Sequence, residues 1–322
     1  MEGQEGLEPS TPCLRGRCSN QLSYWPIIIN YQTLTNYLCF GKVQQIRYNA
    51  VVKYLNGSEL ASYIKVRQAH QVRALKQAHN ISPKLAIIVT IKDPIIEIYL
   101  RLKKKYGVEI GIEVELYRSD LREVPALIKK LNNDNNVNGI IIQLPISDES
   151  KTEEIVNLVD PNKDVDGLSK KTKFDPATPL AILWLLAGYN IDLSGKDIVI
   201  VGKGRLVGAP LENALLNSGL TPRVLGRSTK NIGEEISKAD IIITATGVPG
   251  LIKADSIKEK AVVIDAGVAS ENGKTVGDVD EAVYETRDDL TITPTKGGVG
   301  PLTVCALFEN LIRAANKLIE SK

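Results

Sequence analysis

The sequence predicts an α/β protein of two domains with parallel-type sheets. Three observations carry that. The chain has 322 residues, more than one ordinary core takes up. Short runs of β-branched residues alternate with segments of helical period, the pattern of strands covered by helices on both faces. And Asp197-Ile198-Val199-Ile200-Val201-Gly202-Lys203-Gly204-Arg205-Leu206-Val207-Gly208 runs from a buried-strand pattern straight into a glycine-rich turn.

Residues 59–78 have the period of a helix, 84–90 of a strand, 96–106 of a helix, 113–117 of an alternating strand. A helix at 124–132, a buried strand at 139–144 and a helix at 151–158 complete the first unit. Asp160-Pro161-Asn162-Lys163-Asp164-Val165-Asp166-Gly167 is a turn-rich link. The second unit has strands at 197–201, 223–225, 241–244 and 262–265, with a helix at 209–218. Gly297-Gly298-Val299-Gly300-Pro301 breaks the chain before a last helix at 303–319. The expected division is a tail at 1–50, one domain of 51–170 plus 301–322, and a second of 171–300.

Strand, glycine turn and helix together suit a dinucleotide site, which makes the second domain of Rossmann type, the alternative being a merely tight structural turn. One glycine allows the tight turn, the next lets backbone approach a pyrophosphate, and the helix N-terminus offers free N–H groups. Gly202, Lys203 and Gly204 are the cofactor-binding residues expected in this loop. An NAD site usually carries an acid at the end of the second strand to hold the ribose 2′-hydroxyl. Here that end reads Leu225-Gly226-Arg227-Ser228, and Lys203 adds a second cation in the loop. Arg227 and Ser228 therefore suit a 2′-phosphate, favouring NADP over NAD. Gly247 and Gly250, in Thr244-Ala245-Thr246-Gly247-Val248-Pro249-Gly250, are expected to border the nicotinamide side of the channel, with Val268 beyond the next strand.

Composition narrows the chemistry. A net charge of +2 gives no pull towards nucleic acid or membrane, and no apolar stretch is long enough to span a bilayer. Of Cys13, Cys18, Cys39 and Cys305 only the last lies in the regular part, which supports neither a disulfide framework nor a zinc site and suits a reducing cytoplasm. The only histidines, His70 and His79, share one early helix. No metal site and no Ser-His-Asp arrangement is expected, and acid–base work falls to Lys, Tyr, Asp or Glu.

Residues 1–49 lack any period, and their acidic start is neither a secretory nor a transit signal. Residues 19–24 can be encoded by DNA whose reverse complement, ATAGCTCAGTTGGTTAGA, resembles the D-arm of a tRNA gene. Residues 6–9 can be written as the complement of GGGTTCGAGTCC, which resembles a T-arm, nine codons away. The expectation is an antisense tRNA gene read as an open frame, with the true start near Val51 or Val52; the alternative is a disordered extension.

Tyr99 and Lys103 stand four apart on one helix face. A lysine near a tyrosine hydroxyl in a cleft can lose basicity and act as acid or base, although Arg101, Lys104 and Lys105 alongside also suit a solvated basic face. Gln143 ends a buried strand, where α/β sheets place ligands, or it simply binds backbone there. Asp164 and Asp166 either serve their turn or face a ligand. The 297–301 glycines suit a loop lying against a flat ligand, or a flexible connection.

Taken in order, Tyr99-Leu100-Arg101-Leu102-Lys103, Ile142-Gln143-Leu144-Pro145, Lys163-Asp164-Val165-Asp166-Gly167, Ala177-Thr178-Pro179, residues 202–210 and Gly297-Gly298-Val299-Gly300-Pro301-Leu302-Thr303 resemble the bifunctional methylenetetrahydrofolate dehydrogenase/methenyltetrahydrofolate cyclohydrolase family over about residues 55–317. The resemblance implies reversible NADP-dependent oxidation of 5,10-methylenetetrahydrofolate, hydrolysis of 5,10-methenyltetrahydrofolate to 10-formyltetrahydrofolate, and a homodimer. It makes Lys103 the key catalytic lysine and Tyr99 a residue stacking on or hydrogen-bonding the folate. Gln143 would tune Lys103 and Asp166 would hold the pterin. Leu144, Gly297, Gly298, Gly300, Pro301 and Thr303 would contact the tetrahydrofolate substrate.

The chain departs from the family pattern in places. The family's Gly-Arg-Ser is Gly202-Lys203-Gly204, and its His-Ser after the second strand is Gly226-Arg227. Ala177 replaces a cysteine and Lys296 a proline. Ile91-Lys92-Asp93-Pro94-Ile95-Ile96 stands for Gly-Asp-Asp-Pro-Ala-Ser. Two rival readings are an NADP-dependent amino- or hydroxy-acid dehydrogenase and a non-catalytic nucleotide-binding regulator. The first leaves Gln143 and the 297–303 loop unexplained; the second leaves Tyr99, Lys103, Gln143 and Asp166 unexplained.

Overall fold

Parallel strands buried on both faces need uninterrupted apolar runs, and the chain supplies them twice. The structure is a computed structural model that describes residues 54–271 and 274–320. The expectations for the tail, including its start near Val51, fall outside the described residues.

The first half opens with α1 (Gly57–His79), whose start is fixed by Asn56 accepting the Glu59 N–H at 3.1 Å. Then come β1 (Lys84–Val89), α2 (Pro94–Ile110), β2 (Glu113–Arg118), α3 (Val124–Asn132) and β3 (Gly139–Ile142). Asp93 caps α2 through Ile95 N and Ile96 N, and Pro94 stands in its first turn, where the missing N–H costs nothing. The three strands are parallel in the order β2-β1-β3. The helix expected at 151–158 is a 3₁₀ turn (Glu149–Lys151) followed by the short α4 (Thr152–Val156). Leu144 lies past the end of β3, outside the strand expected for it.

The second half contains α5 (Ala177–Gly188), β4 (Ile198–Val201), α6 (Gly208–Asn217), β5 (Arg223–Leu225), α7 (Ile232–Ile236) and β6 (Ile241–Thr244). It continues through β7 (Val262–Asp265), the β8 (Ala269–Glu271)–β9 (Lys274–Val276) hairpin, α8 (Glu281–Thr286) and β10 (Thr291–Ile292) to α9 (Val299–Glu320). Five strands form a parallel sheet in the order β10-β7-β6-β4-β5, with the order reversing beside β4 as in doubly wound folds.

Two helices that pack the core also depart from the sequence reading. α5 was not anticipated. Its Ala181, Ile182, Leu183, Trp184, Leu185 and Leu186 are all buried, so it shows no amphipathic period. α9 starts at Val299 rather than 303, so Gly300 and Pro301 occupy its first turn instead of breaking the chain before it.

α9 packs along both α5 and α1. One core joins these helices and α2 to Ile198, Ile200, Ile241 and Ile243 of the larger sheet, whose alternate residues Val199, Val201 and Ile242 face a second core. A buried polar chain crosses the helix junction. The Tyr106 hydroxyl donates to Gln68 Oε1 at 2.7 Å, and Gln68 Nε2 donates to Glu309 Oε2 and to the Cys305 carbonyl, both at 2.9 Å. The start of the described chain also meets the segment just before α9. Leu55 N donates to Ile292 O at 2.9 Å, and a Cβ on Gly57 would fall 1.9 Å from the Gly298 carbonyl oxygen.

Candidate active site and cofactor site

α2 places Tyr99 and Lys103 one turn apart, and β3 delivers Gln143 at its C-terminal end. The Lys103 Nζ donates to Gln143 Oε1 at 2.9 Å. The Gln143 amide is itself fixed, its Nε2 donating to the Leu144 carbonyl at 2.9 Å, so Oε1 must face the lysine. Burial pushes the Lys103 ammonium below the ordinary lysine range, with the charge of Asp166 working the other way. Burial likewise raises the Asp166 carboxyl, against the pull of Lys103. Tyr99 is half-buried and its hydroxyl is pushed up for the same reason.

The 160–167 link after α4 divides its duties residue by residue. Lys163 Nζ donates to the carbonyls of Leu131, Asn132 and Asp134, closing the C-terminus of α3. Asp164 is buried and accepts from Ser169 N at 2.8 Å, so it serves the turn. Asn310 of α9 donates to the Val165 carbonyl at 2.9 Å and holds the link from the other side. The Asp166 carboxylate lies near enough for its charge to act on Lys103, without forming an ion pair with it.

The glycine segment contacts the start of α1. Ser58 N donates to the Gly297 carbonyl at 2.9 Å. Gly298 is buried, Pro301 and Thr303 are half-buried, and Gly300 opens onto free space with nothing within 4 Å of where its Cβ would stand.

At the end of β4, Gly202 has φ +106°, a conformation that side chains resist. A Cβ on Gly208 would lie 1.8 Å from the Gly202 oxygen, so the turn closes backbone on backbone. α6 then starts at Gly208 with no side-chain cap; Ala209 N donates to the Gly204 carbonyl at 3.1 Å and Pro210 has no N–H, so the Gly208 N–H is the one of its first turn left for a ligand. Gly204 has nothing within 4 Å of its missing Cβ. Arg227 and Ser228 are exposed beyond β5, at the neighbouring strand end. Lys203 pairs with Glu212 of α6 at 3.5 Å. Gly247, at φ +69°, lies beside Val268, with 3.5 Å between its missing Cβ and the Val268 oxygen. The tight turn, the Gly208 N–H at the helix start and the exposed Arg227 fit a phosphorylated dinucleotide. Among the described residues no group of three or more His, Cys, Asp or Glu could hold a metal ion. His70 and His79 are exposed on α1.

Sequence reasoning missed Asp265 and Asp278. Asp278 is fully buried, and its carboxylate accepts from Thr244 Oγ1 and Thr246 N, both at 2.6 Å, and from Val248 N at 3.0 Å. Asp265 accepts from Gly267 N at 2.9 Å, Asp278 N at 3.1 Å and Val279 N at 3.0 Å. A Gly-Asp pair following a strand was the available signal.

A dinucleotide-binding α/β half joined to a half built around a desolvated lysine defines a nucleotide-dependent enzyme class. Within it the chain belongs to the tetrahydrofolate dehydrogenase/cyclohydrolase family: the family's catalytic domain matches residues 55–166 and its NAD(P)-binding domain residues 176–319. A relative from Acetivibrio thermocellus, "Bifunctional protein FolD", is 40% identical over 279 residues, covering 82% of this chain and 96% of its own. The crystal structure of the bifunctional FolD methylenetetrahydrofolate dehydrogenase/cyclohydrolase from Campylobacter jejuni is 37% identical, with a TM-score of 0.77, over 82% of this chain and 99% of that one. The Trypanosoma brucei enzyme, solved with NADP cofactor and an inhibitor, shares 26% identity and a TM-score of 0.77 over 83% of this chain and 98% of that one.

Proposed function

We propose that this chain oxidises 5,10-methylenetetrahydrofolate reversibly with NADP and hydrolyses the resulting 5,10-methenyltetrahydrofolate to 10-formyltetrahydrofolate. The observation that carries this is Lys103, held at 2.9 Å by Gln143 and made less basic by burial, in a chain matching both domains of the family.

Hydrolysis adds water to the methenyl carbon and opens one carbon–nitrogen bond. Lys103, in its amine form, takes the proton from the attacking water and, as ammonium, delivers one to the departing ring nitrogen. Gln143 aims the Nζ by accepting one of its hydrogens. Asp166 holds the pterin and steadies the ammonium form, since its charge raises Lys103. Tyr99 lies against the folate ring system, and Leu144, Gly297, Gly298, Gly300, Pro301 and Thr303 line the rest of its cleft.

The oxidation step needs orientation more than proton transfer. When bound, the nicotinamide supplies the hydride acceptor. Gly202, Lys203 and Gly204 with the N-terminus of α6 take the pyrophosphate, while Arg227 and Ser228 take the 2′-phosphate. Gly247 and Val268 border the nicotinamide end. The absence of an acid after β5 and the exposure of Arg227 support NADP over NAD. The resemblance supports a homodimer, and the free, buried Cys305 thiol suits the cytoplasm. We assign folate to 51–170 with 301–322, and the cofactor to 171–300.

The test follows methenyltetrahydrofolate by absorbance with NADP and NAD in parallel, then its disappearance without either. Reduction of NADP coupled to methenyl formation, followed by coenzyme-independent hydrolysis, is the expected result. Turnover of amino or hydroxy acids instead would overturn the reading.

A further inference from the structure

The fully buried Asp278 carboxylate is not used by the chemistry above, and no cation among the described residues pairs with it. Burying a carboxylate is costly unless strong donors surround it. Here every donor comes from one short segment. Oδ2 accepts from the Thr244 hydroxyl and Thr246 N, both at 2.6 Å, and Oδ1 accepts from Val248 N at 3.0 Å. That segment leaves β6 at its C-terminal end, beside β4, where open α/β sheets take their ligands.

The same segment touches the glycine turn. A Cβ on Gly202 would stand 2.7 Å from the Ala245 oxygen, so the height of residues 245–248 and the shape of the turn are set together. On its other side Asp278 meets a second crevice loop. A Cβ on Gly267 would lie 2.1 Å from Asp278 Oδ1, so residues 266–268 pack directly on the carboxylate. Asp278 is itself anchored, its N–H donating to Asp265 Oδ1 at 3.1 Å and its carbonyl accepting from Ile252 N at 3.0 Å. The two loops carry Val248 and Val268, 50% and 51% exposed, large apolar side chains held out at the crevice edge.

We propose that Asp278 is a positioning residue for the dehydrogenase step: it fastens the 244–248 and 266–268 loops in the spacing that receives the nicotinamide end of NADP. This rests on the reading of the β4 turn as the cofactor site. The hydrolytic step uses none of these loops and supplies the internal control.

The test is Asp278→Asn in the full chain. Asparagine keeps the volume but sets an NH₂ against a backbone N–H in either orientation. Losing a hydrogen bond to a charged acceptor predicts a rise of roughly tenfold to a hundredfold in the KM for NADP. The KM for methylenetetrahydrofolate and the coenzyme-independent hydrolysis rate stay at wild-type values, and the melting-temperature rise given by NADP shrinks. Thr244→Val, which removes one donor and keeps the shape, shifts the NADP KM the same way by a smaller factor and carries the test if Asp278→Asn does not fold. An unchanged NADP KM in the folded variants, or hydrolysis falling in step with oxidation, overturns the proposal. A wild-type chain that neither turns over NADP nor melts higher in its presence fails at the cofactor reading itself, and the proposal falls with it.

Discussion

Replacing Lys103 by methionine separates the two activities. Methionine keeps the length and apolar stem of lysine and removes its protons. The change leaves Gln143 Oε1 without the donor now at 2.9 Å. An orphaned buried acceptor costs ~1–3 kcal/mol. Gln143 is only half-buried, so water can take over and the cost sits near the low end, offset by removal of a desolvated amine. Loss of a positioned acid–base lowers the hydrolysis rate ~10²–10⁴-fold. Even the smaller figure corresponds to about 2.7 kcal/mol at the transition state, more than the packing change can supply. Tyr99 is a poor substitute base, since burial pushes its hydroxyl further above neutral pH, and the Asp166 carboxyl, which burial raises, is committed to the pterin in the proposed reading. The expected outcome is a variant that melts within a few degrees of wild type, binds NADP normally, oxidises methylenetetrahydrofolate and accumulates the methenyl product. The assay is absorbance at the methenyl band with and without NADP. Hydrolysis within a factor of a few of wild type would refute the reasoning and make Lys103 a surface lysine.

Four further outcomes are expected. The hydrolysis rate rises with pH through a limb below the ordinary lysine range, because the amine form is the base. Asp166→Asn moves that limb to still lower pH by removing the charge that raises Lys103, as a pH–rate profile shows. Arg227→Ala weakens NADP by roughly tenfold to a hundredfold while sparing NAD, read from parallel KM values, since a charge-assisted phosphate contact is worth ~1.5–3 kcal/mol. Gly208→Ala drives a Cβ to 1.8 Å from the Gly202 oxygen, so calorimetric titration finds NADP binding lost while hydrolysis persists.

The parallel strands were legible because burial on both faces writes itself as unbroken β-branched runs, and β5, β6 and β7 fall where expected. α5 was invisible for the opposite reason. It is enclosed on every side, so no polar stripe interrupts Ala181-Ile182-Leu183-Trp184-Leu185-Leu186 to reveal a helical period. The 297–301 run reads as a break because glycine and proline punctuate chains, yet Gly300 and Pro301 fit the first turn of α9, where no N–H is needed from proline. At the site, Tyr99 and Lys103 share a face through local spacing, which sequence displays. Asp278 and Thr244 are 34 residues apart and meet only where the chain returns from the β8–β9 hairpin to the end of β6, which no local pattern encodes.

The meeting of Gly57 with Gly298, and of Leu55 with Ile292, bears on how this enzyme can be cut and recombined. The two family segments, 55–166 and 176–319, read like modules that could be exchanged. They are interlocked instead. The opening residues of the first complete the edge of the second's sheet and seal the glycine pair from which α9 springs. A cofactor module grafted elsewhere without residues 54–58 would leave an unpaired strand edge and a loop with nothing to rest on. Chimaeras that exchange coenzyme preference between relatives therefore need three crossovers, with the donor's short N-terminal strip travelling alongside its nucleotide half.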